Sequence, residues 1–305
     1  MKINLIQTDI VWGDPQANCE HLDKLLASAE PADIYVLPEM FSTGFATLPN
    51  ATVEHEPAEG LAWMQRKAQE LHAAIAGSIA LESPVAGDDE TARCVNRFYF
   101  VRPDGTYEQY DKRHLFGYGG EGERFRAGQE RVVVKYLGVR FLLAVCYDLR
   151  FPVWLRSRDD YDVMLLVASW PDVRRFAWDT LARARAIENA CYVAAVNRVG
   201  NDPACTYNGG TAWIGPYGET IAEAADGKEG VVSGEIDLAR IATYHTKFPV
   251  LSDAEQAEIV RKRIAHGKDP PVRRQRHRPG VPPAGRRARD DAESFPIGLE
   301  VHDAV

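Results

Sequence analysis

Hydrophobic positions in this chain come in short runs, and the spacing of those runs sets out the elements. The opening MKINLIQTDIVWGD alternates apolar and polar residues, the two-residue period of a half-buried strand, and predicts one over Lys2–Ile10. Further runs rich in Val, Ile, Leu and Tyr, most bounded by Gly, Pro or Asp, predict strands at Asp33–Pro38, Ala74–Leu81, Val95–Arg102, Val132–Tyr136, Val139–Cys146, Val163–Ser169, Tyr192–Asn197, Thr211–Ile214 and Gly230–Ile236. Three stretches carry the helical period instead. Pro15–Ala29 places Leu22, Leu25 and Leu26 on one face, Ala58–His72 places Leu61, Met64, Ala68 and Leu71, and Arg174–Ala190 places Trp178, Leu181, Ala184 and Ile187. Pro152 is placed to start a short helix through Val153–Arg158. Strands and helices alternate early and hairpin-like pairs follow later, which predicts a large α/β sandwich with partly antiparallel sheets. No GxGxxG follows the first strand and no GxxxxGK[ST] occurs, so a nucleotide-binding doubly wound fold is not indicated.

Charge divides the chain. Residues 261–305 hold 11 Lys and Arg against 6 Asp and Glu, which leaves 25 basic and 38 acidic residues in the first 260. The final segment is rich in Arg and Pro and has almost no apolar periodicity over its first thirty residues. It reads as a disordered tail, because it cannot bury enough apolar surface to offset its ordering entropy. The predicted organisation is thus one domain over 1–260 and a basic tail over 261–305, whose charge allows nucleic-acid binding as an added property. No run approaches the roughly 18 apolar residues of a membrane span, and the N-terminus lacks the apolar core of a secretion signal. The expectation is a soluble cytoplasmic protein. Five scattered cysteines, an odd number, argue against a disulfide framework. With no CxxC, HxxxH or HxH spacing, they also argue against a zinc site.

The strand ends carry the candidate chemistry. "LLAVCYDLRFP" is an apolar run that ends on Cys146; "DIYVLPEMF" ends on Glu39; "YEQYDKRHLF" carries Lys112 after a strand and turn. A thiol attacks as its thiolate and needs a base. Of the eight histidines only His114 lies near other suggestive residues, and nothing in the sequence pairs it with an Asn or Asp. A carboxylate, an amine and a thiol at three strand exits can hydrolyse an amide. Glu39 would accept the proton, Cys146 would attack, and Lys112 with the Tyr147 N–H would hold the oxyanion. Each residue alone also has a structural explanation: a cap, a surface lysine, a small core thiol.

Together these stretches resemble the nitrilase superfamily of carbon–nitrogen hydrolases, with "LPEMF", "YDKRHLF" and "CYDLRFP" in that family's order. The resemblance covers roughly residues 1–260 and is nearest to the omega-amidase branch, whose members hydrolyse 2-oxoglutaramate and 2-oxosuccinamate. It implies a four-layer αββα sandwich, a homodimer, and no metal or organic cofactor. It also implies a second glutamate after the lysine, which is Glu121, with Glu123 as the nearby competitor. Tyr147, Asp148 and Arg150 are expected to fix the turn after Cys146 rather than touch substrate, apart from the Tyr147 N–H. Arg174 is the candidate for the substrate's distal carboxylate and Trp170 for a pocket wall. Two other functions are carried beside this one. The first is another linear-amide or N-carbamoyl hydrolase, such as one acting on deaminated glutathione. The second is a non-catalytic scaffold or nucleic-acid-associated protein acting through the basic tail.

Overall fold

The computed structural model of the protein describes residues 1–83 and 94–253, and two six-stranded mixed sheets run through them. In chain order the elements are β1 (Lys2–Gln7), α1 (Pro15–Ala27), β2 (Ile34–Val36), α2 (Glu59–Leu71), β3 (Ala74–Glu82), β4 (Cys94–Val101) and β5 (Tyr107–Asp111). Then come α3 (Glu121–Arg124), β6 (Val133–Tyr136), β7 (Val139–Val145), α4 (Pro152–Leu155), β8 (Val163–Ala168), α5 (Arg175–Asn189) and β9 (Tyr192–Asn197). The last are β10 (Val199–Asn201), β11 (Thr206–Asn208), β12 (Ala212–Ile214), β13 (Thr220–Glu223), β14 (Gly230–Glu235), α6 (Leu238–Lys247) and α7 (Val250–Asp253). The basic segment 261–305, and the boundary drawn at residue 260, lie outside the described residues.

One sheet has the order β14-β1-β2-β3-β4-β5 and the other β13-β12-β9-β8-β7-β6. Each has a parallel centre, β1-β2-β3 and β7-β8-β9, with antiparallel strands on both sides. The side-chain period of two sorts each strand between two cores. In the first sheet Ile3, Leu5, Ile34, Val36, Phe98 and Phe100 face the second sheet, where Phe141, Leu143, Leu165 and Val196 meet them. Tyr35, Ile75, Ile79 and Tyr99 face the other way, onto Leu22 and Leu26 of α1 and Met64 and Ala68 of α2. Trp178, Ala182 and Ala186 of α5 and Ile241 of α6 pack on the second sheet. The layers are therefore helix, sheet, sheet, helix, the αββα sandwich.

The elements depart from expectation in a few places, each with a local cause. β7 stops at Val145 because Cys146 adopts φ +46, which no strand residue holds. β1 ends at Gln7 because Thr8 and Asp9 turn to bond Glu229. The buried face of α5 runs through Trp178, Ala182, Arg185, Ala186 and Asn189, while Ile187, placed inside by periodicity, is half exposed. The reason is polar. Arg185 reaches the carbonyl of Leu149 and Asn189 accepts from Ser157 N–H, so two polar residues dock the helix. The periodicity gave no sign of α3, α6 or the β10–β11 hairpin.

Candidate active site

The exits of β2, β5 and β7 meet at one end of the two sheets. After β2, Leu37 N–H still bonds Ala76 O, and Ser78 of β3 then holds the turn through Met40 N–H (3.0 Å) and Phe41 N–H (3.1 Å). Met40 takes φ +46. This pinned turn aims Glu39 into the space between the sheets. Its Oε1 accepts from Lys112 Nζ at 2.9 Å and from Asn96 Nδ2 at 2.7 Å, and its Oε2 accepts from the backbone N–H of Ser169 at 2.8 Å.

Lys112 follows β5 on the same side of the sheet as Tyr110, and its backbone N–H bonds Asn96 O. Its ammonium is also held by both oxygens of Glu121, at 3.0 and 2.9 Å. Glu121 opens α3 and accepts from Phe116 N–H (2.6 Å) and Asn96 Nδ2 (3.2 Å) as well. Glu39, Asn96, Lys112 and Glu121 are all fully buried. Charges survive such burial only when paired and hydrogen-bonded, and here every one is. For Lys112 burial acts to lower the pKa, but the carboxylates of Glu121 and Glu39 outweigh it and hold the ammonium above its ordinary range. Burial raises the carboxyl of Glu121, against the pull of Lys112.

Cys146 begins a 3-10 turn over Cys146–Arg150. A left-handed conformation at a non-glycine residue costs on the order of 1 kcal/mol and persists only where the surroundings impose it. Here Asp148 imposes it. Its carboxylate accepts from Val145 N–H (3.0 Å), the Tyr110 hydroxyl (2.7 Å) and His114 N–H (3.0 Å), and lies 2.8 Å from His114 Nδ1. His114 thus does have an aspartate partner, one that sequence spacing did not reveal. The Cys146 Sγ lies 4.0 Å from Ser169 O. Burial, then the Glu39 carboxylate, push its thiol well above the ordinary range, and Lys112 offsets only part of this. The thiol lies beside the Glu39 carboxylate, a group of the kind that can accept a proton. Tyr147 N–H lies in the first turn, where a backbone donor has no partner within the helix.

Above Cys146 opens a cavity of about 290 Å³ lined by Tyr147, Arg150, Trp170 and Arg174, with Phe45 and Phe116 among its aromatic walls. The residues singled out in the sequence therefore converge: Glu39, Lys112 and Glu121 in the buried floor, Cys146 at the junction, Tyr147, Trp170 and Arg174 on the walls. Glu123 is exposed, so Glu121 is the glutamate on the lysine. Arg150 is a correction: it lines the cavity, and the bonds that hold the turn come from Asp148, expected there, and from Arg185, which was not. Asn96 escaped the sequence reading, although an asparagine on the inward parity of the apolar strand CVNRFYFV is itself a signal. The β10–β11 hairpin was also missed, and it brings Asp202, Cys205 and Tyr207 to the rim. Among the described residues no group of three or more His, Cys, Asp or Glu could hold a metal ion, and no helix is long and apolar enough to cross a membrane.

Known proteins share this arrangement of chain. Residues 2–246 match the family model for carbon–nitrogen hydrolases. The chain is 44% identical over 258 residues to the omega-amidase YafV of Yersinia enterocolitica, covering 84% of this chain and 97% of that protein. It is 32% identical over 259 residues to the 2-oxoglutaramate amidase of Bacillus subtilis, covering 82% and 96%. A solved CN-hydrolase superfamily protein of Xanthomonas campestris, which carries an arsenic adduct in its active site, superimposes with a TM-score of 0.77 at 39% identity, covering 84% of this chain and 97% of that one. The chain belongs to the carbon–nitrogen hydrolase family, and its reaction is the hydrolysis of an amide C–N bond.

Proposed function

We propose that this enzyme is an omega-amidase, which hydrolyses the terminal amide of 2-oxoglutaramate or 2-oxosuccinamate to the 2-oxo dicarboxylate and ammonia. The observation that carries the reading is the position of Cys146, between a buried Glu39–Lys112–Glu121 floor and a cavity that bears Arg174. Similarity to enzymes named for this activity supports it.

Glu39 takes the Sγ proton as the sulfur attacks the amide carbon. The oxyanion is held by Lys112 Nζ and the Tyr147 N–H. Glu39 then returns the proton to the nitrogen, the C–N bond breaks, and ammonia leaves a thioester on Cys146. Water, deprotonated by Glu39, attacks that thioester; the acid departs and the thiol is regenerated. Glu121 keeps Lys112 charged and aimed. The substrate lies along Trp170 with its distal carboxylate on Arg174, whose guanidinium sits 5.2 Å from the centroid of Phe116.

The test is ammonia release from 2-oxoglutaramate, 2-oxosuccinamate and deaminated glutathione by the purified protein and by Cys146→Ala. Turnover of the first two that vanishes in the variant supports the reading. Preference for deaminated glutathione rejects the branch and keeps the amidase.

A further inference from the structure

The turn that presents the nucleophile also carries a second cation. Arg150 closes the Cys146–Arg150 turn, and its guanidinium lies 5.0 Å from the centroid of Trp170. Trp170 in turn donates its indole N–H to the carbonyl of Arg174 at 2.8 Å. One aromatic wall therefore ties the two arginines together, and both line the cavity above Cys146. Among the described residues neither guanidinium forms an ion pair, whereas Arg97, Arg102, Arg131, Arg140, Arg175 and Arg198 all do. The acid on the rim, Asp202, is already engaged. Its oxygens accept from Ala204 N–H, Cys205 N–H and the Tyr207 hydroxyl within the hairpin.

A guanidinium stacked on a ring keeps its planar edge of N–H donors free, and that edge matches the two oxygens of a carboxylate. We propose that Arg150 and Arg174 together grip the carboxylate of the substrate, and that this grip makes the enzyme select an anionic monoamide over an uncharged amide of the same length. The proposal rests on the omega-amidase reading and adds Arg150 as its specificity-determining residue. Tethered four residues beyond Cys146, Arg150 fixes where the carboxylate sits relative to the sulfur, so the reacting amide is the one at the opposite end of a short chain. Arg150 is exposed, so solvent and salt weaken its pull. The share of each arginine is moderate rather than absolute.

The experiment compares kcat/KM for glutaramate, a five-carbon monoamide with a free carboxylate, with that for glutaramide, its uncharged diamide. In Arg150→Gln the ratio of the two should fall about tenfold, with the loss mainly in KM for the anion. In Arg150→Gln/Arg174→Gln it should fall about a hundredfold. Arg150→Lys, which keeps the charge but not the fork, should lie between wild type and Arg150→Gln. Raising the salt concentration should raise KM for glutaramate in the wild type more than in Arg150→Gln. A ratio unchanged in both single Arg150 variants, or a glutaramate KM indifferent to salt, would overturn the proposal. The wild type's choice between 2-oxoglutaramate and deaminated glutathione separates this from the underlying reading: preference for deaminated glutathione fails the omega-amidase reading, whatever the ratio does. Turnover of glutaramate by Cys146→Ala would fail the amidase mechanism itself.

Discussion

The floor of the site and its mouth solve opposite problems with the same kinds of side chain. In the floor, Glu39, Asn96, Lys112 and Glu121 are wholly buried, and each charge is met by fixed partners at 2.6–3.2 Å. At the mouth, Arg150 and Arg174 lie against aromatic rings and, among the described residues, have no carboxylate partner. A fully paired charge is held rigid and costs no reorganisation when the reaction begins. An unpaired one is available to a ligand. On the proposed mechanism, the difference between chemistry and recognition is therefore a difference in which charges are already paired.

That contrast sets the size of each expected effect. Cys146→Ala should lower kcat by roughly 10⁴-fold or more, since no other step replaces the covalent one. Glu39→Gln should come next, at about 10³-fold, because it removes the proton acceptor and leaves the other partners of Lys112 in place. Both should fold normally, which circular dichroism and thermal melting check. Asn96→Leu tests whether the floor depends on its neutral donor. Losing the Asn96 N–H bond to Glu121 raises the already elevated pKa of that carboxyl further. The acid limb of kcat/KM should therefore move to higher pH by about one unit, and kcat should fall more than KM changes. Arg174→Ala tests the mouth. It should raise KM for 2-oxoglutaramate about tenfold with kcat nearly kept, and an unchanged KM would take Arg174 out of the site.

The smallest effect concerns the wall that carries Phe45. Glu54 lies beneath that segment and accepts from the Ser42 hydroxyl and, at 2.6 Å, from Gly60 N–H at the start of α2. Burial raises its pKa above 4.5, and among the described residues it has no cationic partner. A carboxyl whose folded pKa is raised stabilises the fold fully below its unfolded pKa and loses that contribution as pH climbs through the folded pKa. Between pH 4.5 and neutrality the wild type should therefore lose unfolding free energy relative to Glu54→Gln, measured by urea titration at several pH values.

The floor was the more legible region. Glu39, Lys112 and Cys146 stand where apolar runs break, and a carboxylate, an amine and a thiol at three such breaks have few common purposes. The mouth was harder, because a cavity wall is set by distance rather than by pattern. Arg150 sits in the same turn as Asp148, and spacing cannot say that Asp148 turns inward to Val145 and Tyr110 while Arg150 turns outward to Trp170. Nor could periodicity show that Arg185 would enter the buried face of α5, since its reason is the Leu149 carbonyl across the layer. The sandwich itself followed from alternation and from resemblance, while the β10–β11 hairpin is too short and polar to leave a hydrophobic signature.

The most direct measurement is an acid quench of the wild-type enzyme during turnover of 2-oxoglutaramate, followed by peptide mass spectrometry. The mechanism requires an acyl group on the peptide containing Cys146, cleaved by hydroxylamine as a thioester is and absent in Cys146→Ala. Ammonia release with no adduct at Cys146, or release that persists in Cys146→Ala, would contradict it.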